Sequence, residues 1–296
     1  MKYIDKSVLR SAFDAYTKTF LLRRLQADGT FSISLASKKS WLDFSDQKYK
    51  RTAIPSGSPF SGWLDVLLRE QEGRCCYCMR QLSPNEVSVE HLVPESFNGL
   101  DEEEEYAFYS EKAPSIRDYM MLGSQFDAMS REQRVEVNNL VKMPHLIAHS
   151  NLFPACSHEC GCSCNNHRGN KRILPLMLMA DVSEWLTYEE DGSLSLHYHD
   201  ARLAAETIEH LDINTSTQCE IRRLWYLFSR IQVTPQIASE ATPADRNRYL
   251  TTAFGLPTLM DLPEEYRKYF YEERYWTLFL RYNWFYDYYS NRFPVR

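Results

Sequence analysis

The sequence predicts an α+β protein in which a small, strand-bearing metal unit is embedded in a mostly helical chain. Three observations carry this. Seven of the eight cysteines fall in two clusters, Cys75, Cys76 and Cys78 and then Cys156, Cys160, Cys162 and Cys164, with Cys219 alone. The segment Val87-Ser88-Val89-Glu90-His91-Leu92-Val93 alternates apolar with polar and stops at Pro94, the pattern of a short half-buried strand. On both sides of these features, apolar residues recur at helical spacing.

From the start, Val8, Leu9, Phe13, Tyr16, Phe20, Leu21 and Leu25 predict a helix over 7–26 with Ser7 as its N-cap. A turn-forming Ile54-Pro55-Ser56-Gly57-Ser58-Pro59 follows, and a second helix from Gly62 to Glu70 leads to the first cysteines. Residues 1–73 read as a helical region, 74–180 as the metal unit with an insertion near 98–148, and 181–296 as a helical, aromatic-rich region. The acidic run Asp101 to Glu105 reads as a solvated loop opening that insertion. Two helices are expected between Ala201 and Arg230, broken around Asp212-Ile213-Asn214. Tyr266 to Phe293 holds fourteen aromatics in twenty-eight positions, more than one core-facing stripe hides, which points to tight packing together with partner docking.

With 296 residues, 44% of them hydrophobic, the chain is long enough to bury a sizeable core. Its longest apolar runs, such as Ile173 to Ala180, are too short to span a bilayer. Asp5, Lys6, Arg10 and Asp14 interrupt the first twenty residues, so no signal-peptide core is expected and the protein reads as cytoplasmic. A reducing compartment turns clustered cysteines into metal ligands rather than disulfides. The net charge of −6 argues against a broad grip on nucleic acid.

Cys75 and Cys78 stand at C-x-x-C spacing, and Cys156 with Cys164 supplies a second pair, so four thiolates can close a tetrahedral structural zinc site. A thioredoxin-like use of the first pair would leave the second cluster unexplained. Between and after the clusters lie residues suited to phosphodiester hydrolysis: His91 as a base, Glu90 and Asn165 as hard ligands for Mg²⁺ or Mn²⁺, and Asn151 to orient the histidine. Taken singly, a Glu-His pair on a strand is usually surface chemistry, and an asparagine before a turn is usually a cap.

The ordered set Cys75-x-Tyr77-Cys78, Val89-Glu90-His91-Leu92-x-Pro94, Asn151-Leu152-x-x-x-Cys156 and Cys164-Asn165-Asn166-x-Arg168-Gly169 resembles the HNH endonucleases. That resemblance implies a ββα-metal core, with His91 as general base, Glu90 and Asn165 on the catalytic metal, and Asn151 positioning the base. Arg168-Gly169-Asn170-Lys171-Arg172, the Asp191-Gly192-Ser193-Leu194 turn and the stretch from Thr207 to Arg222 are similar to the Septu (PtuB-like) and retron-associated anti-phage nucleases. This branch implies an ABC- or SMC-like ATPase partner and a nucleic-acid substrate, DNA or RNA. Arg168, Lys171 and Arg172 are expected to offer a basic lip to its backbone. The stretched second cluster leaves Cys160 or Cys162 as substitutes for Cys156, and the 59 residues between His91 and Asn151 exceed a minimal HNH connection. The competing reading is a non-catalytic zinc module that binds a partner.

Overall fold

The computed structural model describes residues 1–28, 34–46, 50, 59–83, 85–97, 99–157 and 164–294. The fold is mixed α+β and mostly helical, with short two-stranded sheets. The first helix, α1 (Arg10–Asp28), starts later than the sequence suggests, because Ser7 is engaged elsewhere: its N–H and hydroxyl both donate to Asp5 Oδ1. Val8 consequently stays 70% exposed, while Phe13, Tyr16, Phe20 and Leu21 form the buried face of α1. Helix α2 (Lys38–Phe44) is capped by the Ser37 side chain and lays Phe44 on Trp63 of α3 (Trp63–Glu70), the rings stacked 5.1 Å apart. α3 buries Trp63, Leu64, Val66 and Leu67 on one face and places Asp65 in its first turn and Arg69 in its last, matching the helix dipole.

The central hairpin pairs β1 (Val87–His91) antiparallel with β2 (Leu152–Cys156). The register sets Val87 opposite Cys156 and His91 opposite Leu152. Side chains thus stand at two ends of one short ladder, roughly 14 Å apart at a strand rise of about 3.4 Å per residue. A short helix, α4 (Cys164–Arg168), follows β2 and packs against it.

The insertion contributes helices rather than a loop. Asp101 accepts from the Glu104 amide as N-cap of the helix Glu102–Lys112, and Glu102 to Glu105 fill its first turn, where the positive end of the helix dipole favours them. The acidic run is therefore a helix start, with Glu105 buried, and not a solvated loop. Farther on, Gly123 is needed because a Cβ there would lie 2.2 Å from the Leu35 carbonyl oxygen. The insertion thereby meets the strip leading into α2, where Asp127 accepts from the backbone amides of Leu35 and Ala36.

Downstream, the hairpin Leu186–Tyr188 with Leu194–Leu196 and the helices Ala201–Leu211 and Ser216–Arg230 follow the expected break, with Asp212 in a left-handed conformation at the first helix's C-cap. Buried Arg222 ties these together by donating to the carbonyls of Gly192 and Ile213 and to Asn214 Oδ1. The aromatic segment forms helices Glu264–Tyr271, Glu273–Leu280 and Trp284–Arg292. Its packing is concrete: Tyr266, Tyr269, Trp276, Phe279, Tyr282, Phe285 and Tyr289 are buried, and Trp225 stacks on Phe279 at 4.2 Å. Tyr271 is the ring of this segment that is largely exposed, at 61%. No helix among the described residues is long and apolar enough to cross a membrane.

Candidate metal centre and histidine site

At the Cys156 end of the hairpin, the Sγ atoms of Cys75, Cys78, Cys156 and Cys164 all lie within 4.8 Å of one another, and all four residues are buried. The local backbone explains the convergence. Met79 adopts a positive φ of 62° directly after Cys78, the chain reverses, and the Met79 and Cys75 amides bond to the carbonyls of Cys75 and Arg80. This knuckle turns both its sulfurs toward Cys156 at the end of β2 and Cys164 at the start of α4.

The donor set fits a tetrahedral zinc. A tetrahedral ion with bonds of about 2.3 Å spaces its sulfurs about 3.8 Å apart, and Cys78 Sγ and Cys156 Sγ are 3.8 Å apart. Backbone amides of Cys156 and Cys164 point at the sulfurs of Cys75 and Cys156 at 3.4 and 3.5 Å, stabilising thiolate charge. Burial pushes the Cys75 thiol well up. At Cys78 the same burial is outweighed by hydrogen bonds from Cys156, Cys164 and Cys75, which hold it well below the usual thiol range. Cys160 and Cys162 lie outside the described residues, while Cys156 lies in the cluster.

At the other end of β1, His91 is 7% exposed and its Nε2 lies 3.0 Å from the Leu146 carbonyl oxygen. A carbonyl only accepts, so neutral His91 carries its proton on Nε2 and presents the lone pair of Nδ1. Burial lowers its pKa to about 4 against the opposing pull of the Leu146 carbonyl and Glu95, with Arg168 lowering it further. Trp41 of α2 stands edge-on to the imidazole, with ring centres 4.4 Å apart.

Asn151 does not orient this ring as expected. Its Oδ1 accepts from the Val93 amide at 2.7 Å, and its Nδ2 donates to the Val93 and His145 carbonyls at 2.9 and 2.8 Å. The asparagine clips the backbone just after His91 instead of touching the side chain.

The expected metal role of Glu90 and lip role of Arg168 also give way to a different arrangement. Glu90 is 3% exposed, and its carboxylate is ion-paired with the wholly buried guanidinium of Arg168. Arg168 further donates to the carbonyls of His91 and Leu92 and, at 3.3 Å, to Tyr109. A cation buried in that way fixes the turn after β1 and has nothing left for a phosphate. Arg172 is committed too, to Glu104 at 2.8 Å and Glu105 at 2.6 Å, so of the three expected lip residues Lys171 alone is exposed. Asn165 falls in α4, but its side chain lies outside the described residues. Among the described residues, the four cysteines are the one group of three or more metal-ligating side chains brought together.

No family model matches the chain, and no curated protein or solved structure matches it.

Three neighbours of this site were missed from sequence. Trp41 lies fifty positions before the histidine it covers, so no local pattern marks it. His145 and His149, visible as a pair just ahead of Asn151, were not singled out. His145 Nδ1 accepts from the Gly123 amide at 2.9 Å, and burial lowers its pKa to about 3. His149 stacks on Phe13 and lies 3.1 Å from Glu70, which also pairs with buried Lys6 at 2.6 Å. Lys6 in turn donates to the carbonyl of Leu152 at the start of β2. These are supports for the hairpin's histidine end.

Proposed function

We propose that the chain is an HNH-type endonuclease that hydrolyses nucleic-acid phosphodiester bonds, with His91 as general base. The observation that carries this reading is a neutral histidine with its proton fixed on Nε2 and Nδ1 left to accept, at the end of a hairpin followed by a helix. The hairpin's far end and that helix both contribute thiols to a four-cysteine site. In the proposed step, Nδ1 takes a proton from water while the water oxygen bonds to phosphorus, and the bond to the leaving oxygen breaks, that oxygen then taking a proton from solvent. Asn151 and Arg168 hold the turn that carries His91. The zinc that the cysteines would hold supplies no chemistry to this step; it fixes the hairpin to α4.

The described residues do not fit a catalytic Mg²⁺ or Mn²⁺ held by Glu90, whose carboxylate is taken by Arg168, so the proposed chemistry rests on His91. The resemblance to anti-phage nucleases extends the proposal to work beside an ATPase. A net charge of −6 is in keeping with a subunit that relies on a partner to hold nucleic acid.

The burial of His91, Glu90 and Arg168 favours a second reading, a zinc module that docks a partner and catalyses nothing. The test is to incubate the protein, alone and as the complex it forms in its native host, with plasmid DNA and total RNA. Reactions run with and without added Mg²⁺ or Mn²⁺. Cleavage that disappears in His91→Ala supports the nuclease; intact substrates in every condition support the docking module.

A further inference from the structure

The C-terminal aromatic segment does more than fill a core. Between its last two helices, Arg281, Tyr282 and Asn283 reach back to the cysteine knuckle. The Gln81 amide donates to the Arg281 carbonyl at 2.8 Å, and the Arg281 Nε donates to the Gln81 carbonyl at 2.9 Å. Arg281 is also ion-paired with Glu86, just ahead of β1, and Arg74 donates to Asn283 Oδ1 at 3.0 Å. Inside this seam the Tyr282 hydroxyl, on a side chain only 1% exposed, lies 3.7 Å from Cys78 Sγ. Cys75 and Cys156 accept hydrogen bonds from the backbone amides of Cys156 and Cys164, whereas Cys78 accepts one from a side chain 204 positions farther along the chain.

We propose that Tyr282 is an outer-sphere partner of the four-cysteine metal centre, through which metal binding and docking of the C-terminal helices stabilise each other. A phenol O–H aimed at a thiolate is a charge-assisted donor, and it is buried where water does not replace it. Metal would fix the Cys78 sulfur in place to receive that hydroxyl, so the seam holds better with metal bound. Linkage makes the effect reciprocal: whatever factor the metal contributes to docking, docking returns to metal affinity. The inference rests on the cysteine site holding metal and is independent of nuclease activity.

The experiment uses the full chain as purified. Zinc content is measured by elemental analysis, then zinc release to an excess of a colorimetric chelator is followed in the parent, Tyr282→Phe and Asn283→Ala. Tyr282→Phe keeps the ring and removes only the donor, so it is expected to fold and to release zinc about tenfold faster, in line with the effect of outer-shell partners on affinity. Asn283→Ala, which loosens the seam without touching a sulfur, is expected to release zinc faster by a smaller factor. Hydrogen exchange on the parent before and after chelation is expected to show protection lost in the helix Trp284–Arg292. Zinc present, with Tyr282→Phe releasing it at the parental rate and protection of that helix unchanged by chelation, overturns the coupling. Folded protein without zinc overturns the metal site on which it rests.

Discussion

The two ends of the β1/β2 hairpin are built from the same five-residue ladder yet solve opposite problems. At the Cys156 end, four buried sulfurs from three separate segments converge within 4.8 Å, their approach fixed by backbone amides and Tyr282. Everything there is directed inward, as a closed structural site demands. At the His91 end, the polar groups are also buried, but they hold a turn: Arg168 and Asn151 grip backbone carbonyls and an amide, and the imidazole keeps one nitrogen able to accept a proton. The comparison teaches that one short ladder can carry a closed cluster of sulfurs at one end and, at the other, a buried histidine held by contacts to backbone.

The largest effect is expected from breaking the closed end. Cys78→Ser removes one of four ligands, and structural zinc contributes on the order of 10 kcal/mol in small zinc domains, so the variant is expected to lose both metal and folded structure. Folded, soluble Cys78→Ser with full zinc content contradicts the assignment of the site.

A smaller but still severe effect is expected at the histidine end. Arg168→Met leaves the Glu90 carboxylate buried without its partner, which costs about 3–5 kcal/mol in unfolding free energy. Adding Glu90→Gln removes the orphaned charge and is expected to recover part of that loss. Urea unfolding of both variants checks this, and a single substitution within about 0.5 kcal/mol of the parent contradicts a structural ion pair.

The most gradual effect is one of pH. His91 and His149 are lowered to about 4 and His145 to about 3, each chiefly by burial. The unfolded chain takes up their protons near 6.5, before the folded one does. Their contribution is therefore complete above pH 6.5 and is lost as pH falls toward 4, on the order of 2 kcal/mol for each by pH 5. Unfolding free energy measured at pH 7.5 and pH 5 on metal-replete protein is expected to show this decline. Equal stability at the two pH values contradicts burial of neutral imidazoles at this end.

How far these ends could be read in advance differs for a physical reason. Ligand spacing is local chemistry, so Cys75, Cys78, Cys156 and Cys164 were visible as a set, as were the β1 strand and the helices on either side of Asp212. The fate of charged groups is not local. Whether Arg168 faces solvent or Glu90 depends on how α4 packs against β2, and nothing in the run Arg168 to Arg172 distinguishes a buried cation from an exposed one. The run Asp101 to Glu105 misled for a related reason, since acidic residues suit a solvated loop and a helix N-terminus equally well. The seam from Tyr282 to Cys78 joins positions too far apart in sequence for any periodicity to link.

The difference between the ends is tested most directly by the cleavage rate of His91→Ala. The substitution touches no cysteine, so the protein is expected to stay folded and to keep its zinc. With the accepting nitrogen gone, no cleavage of a substrate cut by the parent is expected. A His91→Ala protein that cuts at near the parental rate contradicts the reading of this end as the reactive one.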